Sequence, residues 1–249
     1  MKGRGTGLLR ERGWLWLERW VRRLLPGYCA FCLGPAAAGK PWCRACYAGL
    51  PHHRHACLQC GDVLKVNESR RCGRCLKSPP PFEATHVPWR YEGDIAATMQ
   101  RFKFQADRRA GHLLAALMDE GLDSLSFAAP VGVLMPVPLH VSRARERGFD
   151  QTAWLARQLA ARRGWQLLEA QRLRATPSQR DLDRRARRRN VAGAFRVPYA
   201  LPETVILFDD VMTTGATFAS LAQACRDAGA SKISVLAVAR TPSRDHRIC

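Results

Sequence analysis

From residue 82 onward, apolar and polar positions alternate in two rhythms. Val87, Trp89 and Tyr91 occupy every second position, the period of a strand. Residues 94–104 and 107–121 follow with the helical period, and Leu113, Leu114, Leu117 and Met118 share one face of the second segment. The short apolar run from Val131 to Met135 predicts a buried strand. Residues 150–163 predict a helix with Asp150 near its start, and Gln166 to Leu168 a further short strand. Val205 to Phe208 predicts a buried strand, Thr217 to Ala228 a helix stopped by Gly229, and Ile233 to Val238 a last strand. Residues 170–193 are polar, rich in Arg and without clear period. Strands alternating with helices predict an α/β fold with a mainly parallel sheet covered on both faces.

The first third of the chain follows neither rhythm. In residues 1–26, Leu9, Leu17, Trp20, Val21 and Leu24 fall near helical spacing with Arg between them. This is a basic amphipathic arm, either a short helix or tail of the body or a segment that touches a membrane surface or nucleic acid. Residues 27–77 have no long apolar run and cannot fold on a core alone, so they need a covalent or metal staple. Residues 78–82 are a proline linker, and 83–249 form the α/β body.

The staple is visible in the cysteines. Eight of the ten lie between residues 29 and 75, paired as Cys29/Cys32, Cys43/Cys46, Cys57/Cys60 and Cys72/Cys75, with gaps of 10, 10 and 11 residues. Each Cys-x-x-Cys turn puts two sulfurs on one side of a tight loop, and two turns complete a tetrahedral site for structural zinc. Eight thiolates make two such sites. The nearly equal gaps admit sequential, interleaved and nested pairings; cheap closure of short loops favours the sequential one. Gly61 and Gly73 suit the knuckle turns. His52, His53 and His55 are read as solvated, Cys225 as a core residue, and four-sulfur zinc as closed and non-catalytic.

No clean apolar leader with a small-residue cleavage site precedes the pairs, so a cytoplasmic location is expected and metal rather than disulfides. Residues 124–142 carry no charge, but Pro130, Pro136 and Pro138 break them, so no transmembrane segment is expected. Forty Lys and Arg against 21 Asp and Glu give a formal charge of +19, and only six of the forty are Lys. Such an excess predicts anionic partners. Arg44, Arg54, Arg70, Arg71 and Arg74 make the cysteine region basic, which suits nucleic acid.

The most specific chemistry lies at residues 205–217. An apolar strand ends in Asp209 and Asp210, then comes Thr213-Thr214-Gly215-Ala216-Thr217, then a helix. Amides at a helix N-terminus, with a glycine that allows close approach, make a phosphate cradle. Two carboxylates beside it repel a bare phosphate but accept from hydroxyl donors such as a ribose diol. The place, at the carboxyl end of a strand, is where open α/β sheets bind ligands.

This segment resembles the phosphoribosyl-pyrophosphate motif of type I phosphoribosyltransferases, and the chain from Cys29 to about Arg240 resembles the ComF/GntX family. Pro136-Val137-Pro138-Leu139, Arg147-Gly148-Phe149-Asp150-Gln151 (Asp150 where the family usually has Asn), Phe102-Lys103-Phe104, and Gln179, Arg187, Asn190 and Ala194-Phe195 carry the resemblance. It implies a type I phosphoribosyltransferase-like domain over 83–249 behind a double zinc ribbon. It also implies that Asp209 and Asp210 hold the ribose hydroxyls as the catalytic pair. Thr213, Thr214, Gly215, Ala216 and Thr217 would cradle the 5-phosphate. Arg143, Arg145 and Arg147 would face the pyrophosphate, with Arg187 on a closing loop and Mg²⁺ carried mainly by the ligand.

The resemblance further implies a role in DNA uptake, competence or use of external DNA. Three readings follow. The chain is a phosphoribosyl-pyrophosphate-binding protein of this fold, a transferase of unknown acceptor if an enzyme. Alternatively it is a non-enzymatic sensor whose ribbon binds single-stranded DNA or a competence helicase. The third reading, a nucleobase salvage enzyme, is disfavoured because no hood for a base is evident. Lys2 after Met1 excludes a glutaminase nucleophile at that position.

Overall fold

A computed structural model describes residues 27–64, 70–124, 133–139, 145, 148–173 and 193–241. The described residues open with the cysteine region, which holds two one-turn helices, α1 (Arg44–Ala48) and α2 (Gly73–Lys77). The body then runs β1 (Ala84–His86), β2 (Trp89–Arg90), α3 (Gly93–Phe104), α4 (Arg108–Ser124), β3 (Val133–Pro136) and α5 (Gln151–Arg163). It continues through β4 (Gln166–Leu167), β5 (Gln171–Arg172), β6 (Phe195–Arg196), β7 (Thr204–Met212), α6 (Ala216–Asp227) and β8 (Lys232–Arg240).

Among the described residues, six strands form the main sheet in the order β1–β8–β7–β3–β4, with β2 also on β8, and every pairing in it is parallel. Alternate side chains of β7 enter two separate cores. Ile206 and Phe208 pack with α3, α4 and α5; Val205 and Leu207 pack with α6. Both faces are therefore covered, as the near-continuous apolar runs require. β5 and β6 form a small antiparallel pair beside the sheet.

Three elements differ from the expectation. Of the strand expected over 87–91 only Trp89–Arg90 forms, and a separate strand precedes it at Ala84–His86; the break falls at Pro88, which has no N–H to give a ladder and whose carbonyl accepts from His53 N at 2.8 Å. The strand expected to end at Phe208 runs on to Met212. Its pairing with β8 continues through Asp209↔Ala237 and Met212↔Arg240, so both acids lie inside β7. His53 is buried rather than solvated, and His52 lies against Trp89 with ring centroids 4.7 Å apart. His55 is exposed and Cys225 is fully buried, as expected.

The cysteine region packs on the body in two places. Cys29, Trp42 and Leu50 join Trp89 and Leu122 in the α4-side core. The loop of Cys57 to Cys60 hydrogen-bonds to β1: Thr85 N donates to Leu58 O at 2.8 Å, and Thr85 Oγ1 to Gln59 O at 2.6 Å. Among the described residues, no helix is long and apolar enough to cross a membrane.

Candidate functional site: a carboxylate pair, a glycine-capped helix and two thiolate clusters

The eight paired cysteines gather sequentially. Cys29, Cys32, Cys43 and Cys46 form one cluster and Cys57, Cys60, Cys72 and Cys75 another, each with its sulfurs within 4.8 Å of one another. Backbone amides stabilise sulfur in both. Cys46 N donates to Cys43 Sγ at 3.4 Å, and Cys72 N to Cys57 Sγ at 3.3 Å. The second cluster is wholly buried, and Arg74 Nη2 donates to Cys60 Sγ at 3.3 Å. Four sulfurs, amide and guanidinium donors around them, and a closed shell fit structural Zn²⁺. Arg74 thus turns inward and leaves Arg44, Arg54, Arg70, Arg71 and Lys77 as the exposed cations among the described residues of this region.

At the carboxyl end of β7, Asp209 and Asp210 point to opposite partners. Asp209 Oδ1 accepts from its neighbour's amide, Asp210 N, at 2.8 Å and from Thr152 Oγ1 at 3.1 Å. Asp210 is buried, and its Oδ2 meets Lys103 Nζ at 2.8 Å. Burial, and then the neighbouring Asp210 charge, push the Asp209 carboxyl up to about 7. Lys103 and the two hydrogen bonds oppose that rise.

The residues after the pair turn at once into α6. Gly215 is its N-cap at φ +77°, in the left-handed region, and a Cβ there would lie 2.8 Å from Met212 Cε. The turn is tight enough to need glycine. Ala216 N donates to Thr214 Oγ1 at 3.4 Å, and no acid stands in the first turn of α6 to compete for its amides. Thr213 is exposed, Thr214, Gly215 and Thr217 are half-buried, and Ala216 is buried. A cavity of about 410 Å³ adjoins this loop, between Thr214, Gly215, α6, the prolines at 79–81 and the second cysteine cluster. The arrangement offers hydrogen-bond acceptors for hydroxyls at one end of a strand, and amides with a positive helix dipole for an anion a few residues on.

Asp150 is the N-cap of α5. Its Oδ1 accepts from Ala153 N at 2.9 Å and its Oδ2 from Leu139 N at 3.3 Å. It thereby ties the Pro-Val-Pro-Leu segment to the helix that carries Thr152. Two residues that the sequence reading gave no site role, Thr152 and Lys103, reach the acids, and only Lys103 stood in a noted motif. Thr152 has no signal of its own in the sequence; its place in the first turn of α5 is what aims it. Arg143, Arg147, Arg187, Gln179 and Asn190 lie outside the described residues. Arg145 is described and exposed.

The double zinc ribbon domain family matches residues 20–76. DNA utilization protein YhgH of Salmonella typhimurium is 32% identical over 227 residues, covering 87% of this chain and 98% of that protein. Competence protein F of Haemophilus influenzae is 30% identical over 223 residues, 85% of this chain and 96% of that protein. Among solved structures, adenine phosphoribosyltransferase from Leishmania tarentolae superposes with a TM-score of 0.37 at 10% identity, over 63% of this chain and 91% of that one. With end-to-end relatives at this identity and a ribbon carrying both cysteine clusters, the chain belongs to the ComF/GntX family, that of DNA utilization protein YhgH and competence protein F.

Proposed function

We propose that this protein binds phosphoribosyl pyrophosphate with Mg²⁺ at the carboxyl end of its sheet and uses its basic zinc ribbon to engage single-stranded DNA in DNA uptake or use. The observation that carries the first half is the succession within nine residues of Asp209, Asp210 and the Gly215-capped N-terminus of α6. A ribose 5-phosphate group presents a diol and a phosphate at that separation in chemistry: the diol donates to the carboxylates, and the phosphate accepts from the amides of residues 213–217.

Asp209 binds best when ionised, and Thr152 and the Asp210 amide hold its Oδ1 in place. Lys103 neutralises the pair and is a cation within reach of a pyrophosphate group bound beside it. Arg143, Arg147 and Arg187 are proposed to complete that half of the site. Mg²⁺, carried mainly by the ligand's own oxygens, supplies charge neutralisation for the pyrophosphate. A cytoplasmic location follows from this ligand. The relatives' names, which concern DNA utilization and competence, support the DNA half, as do exposed Arg44, Arg54, Arg70 and Arg71.

Thermal unfolding with and without Mg²⁺ and phosphoribosyl pyrophosphate tests the site. The wild type should gain stability, and Asp210→Asn should lose most of the gain; an unshifted wild type would end the assignment. Single-stranded DNA binding should weaken steeply with salt as counterions are released. Pyrophosphate release above background with any nucleobase would instead favour the transferase reading.

A further inference from the structure

The second cysteine cluster and the proposed phosphate loop share one buried side chain. Arg240, the last residue of β8, is fully buried. Its Nε donates to Gly61 O, next to Cys60, at 2.7 Å, and its Nη1 donates to Thr213 O, in the loop. Its Nη2 lies 3.7 Å from Asp62 Oδ1. Asp62 is buried too, and its Oδ2 receives Arg74 Nη2 at 3.4 Å, the same nitrogen that reaches Cys60 Sγ. The Asp62 carbonyl accepts from Cys57 N at 2.8 Å, so the acid is fastened to the knuckle through its backbone as well.

Gly61 shows how close the approach is. It sits at φ +65°, and a Cβ there would meet Thr85 Cγ2 at 2.8 Å and Arg240 Cδ at 3.4 Å. A buried guanidinium without partners is strongly unfavourable, so its donors follow whatever the knuckle does. The first cluster stands differently: Cys29 packs with Trp89 in the other core, on the α4 side.

We propose that Arg240 is a positioning residue that couples metal occupancy of the second cysteine cluster to the shape of the 213–217 loop. The inference rests on the reading of that loop as a phosphate cradle. Metal in the second cluster fixes residues 57–62; Gly61 O and Asp62 then hold Arg240, and Arg240 holds the Thr213 carbonyl away from the bound anion. Loss of that metal frees the knuckle, and the carbonyl is no longer restrained. Coupling between binding sites is reciprocal, so ligand in the cradle must also retain metal in the second cluster.

The experiment follows metal release from the fully zinc-loaded, full-length protein into a chromogenic chelator, with Mg²⁺ present, with and without saturating phosphoribosyl pyrophosphate. Ribose 5-phosphate, a weaker chelator of zinc, is run as a second probe. Binding of each probe is measured separately by calorimetry. Ligand should slow the release of one of the two zinc ions by about fivefold or more and leave the other unchanged. In Arg240→Lys that retains two zinc ions, the protection should vanish and the affinity should fall by about tenfold, because one ammonium cannot span Gly61 O and Thr213 O as the fork does. Asp62→Asn, with a smaller effect in the same direction, serves if Arg240→Lys does not fold. Ligand that binds the wild type yet leaves both release rates unchanged overturns the coupling. Ligand that does not bind at all overturns the cradle reading, and the coupling with it.

Discussion

Lys103 Nζ sits 2.8 Å from Asp210 Oδ2, both side chains largely buried, at the point where α3 ends against the carboxyl end of β7. Among the described residues, one cation thus faces two adjacent acids. Removing it by Lys103→Met leaves carboxylate charge buried without a partner. At pH 8 the empty protein should lose about 3 kcal/mol of stability. At pH 6 the loss should be smaller, because Asp209 takes up a proton there and relieves the charge. Urea unfolding at the two pH values checks this, and equal losses would refute it.

The pH behaviour of the pair has a definite sign. The Asp209 carboxyl is raised in the fold to about 7 from 3.8, so its contribution to stability is complete below pH 4 and is lost as pH rises through about 7. The empty wild type should therefore fall in Tm relative to Asp209→Asn between about pH 4 and 7 and change little above that. Taking the difference between the two proteins cancels the acid sensitivity of the thiolate clusters, which is common to both. The proposed ligand reverses the demand, since a ribose diol donates to the ionised form. Binding near pH 7 should release protons, and calorimetry in buffers of different ionisation enthalpy measures the number.

Gly215 carries a separate cost. Gly215→Ala places a Cβ 2.8 Å from Met212 Cε on a residue at φ +77°. Stability should drop by about 1–2 kcal/mol. Affinity for phosphoribosyl pyrophosphate should drop further than stability alone explains, since the same turn aims the amides of α6. Parallel unfolding and binding titrations separate the two effects.

The periodicity made the sheet legible because β7 and β8 are apolar on both faces, and only parallel strands between two helical layers read that way. The cysteine clusters were legible because loop closure acts on spacing, and spacing is all the sequence displays. Arg240 was not. Nothing marks an Arg at a strand end as the partner of Gly61, residues distant in sequence, until β1 and β8 pair and bring the knuckle across. The same holds for His53, whose Nε2 bonds Gly61 O at 2.7 Å, and for Arg74, which looked like one more surface charge. Long-range polar contacts leave no local pattern.

Asp150 ties two segments together through its two carboxylate oxygens. Both of its carboxylate oxygens accept from backbone amides, Oδ1 from Ala153 N at 2.9 Å and Oδ2 from Leu139 N at 3.3 Å. A carboxylate supplies two acceptors; an amide supplies one and turns a donor toward the other N–H. In Asp150→Asn, the oxygen should stay on Ala153 N, where it also meets the positive end of α5. The Leu139 amide then faces an NH₂ group, and residues 137–139 lose their tether to α5. Stability should fall by about 1 kcal/mol. Hydrogen exchange should quicken at Leu139 and stay unchanged at Ala153. Equal quickening at both amides would mean that the helix cap, and not the tether, is what the carboxylate provides.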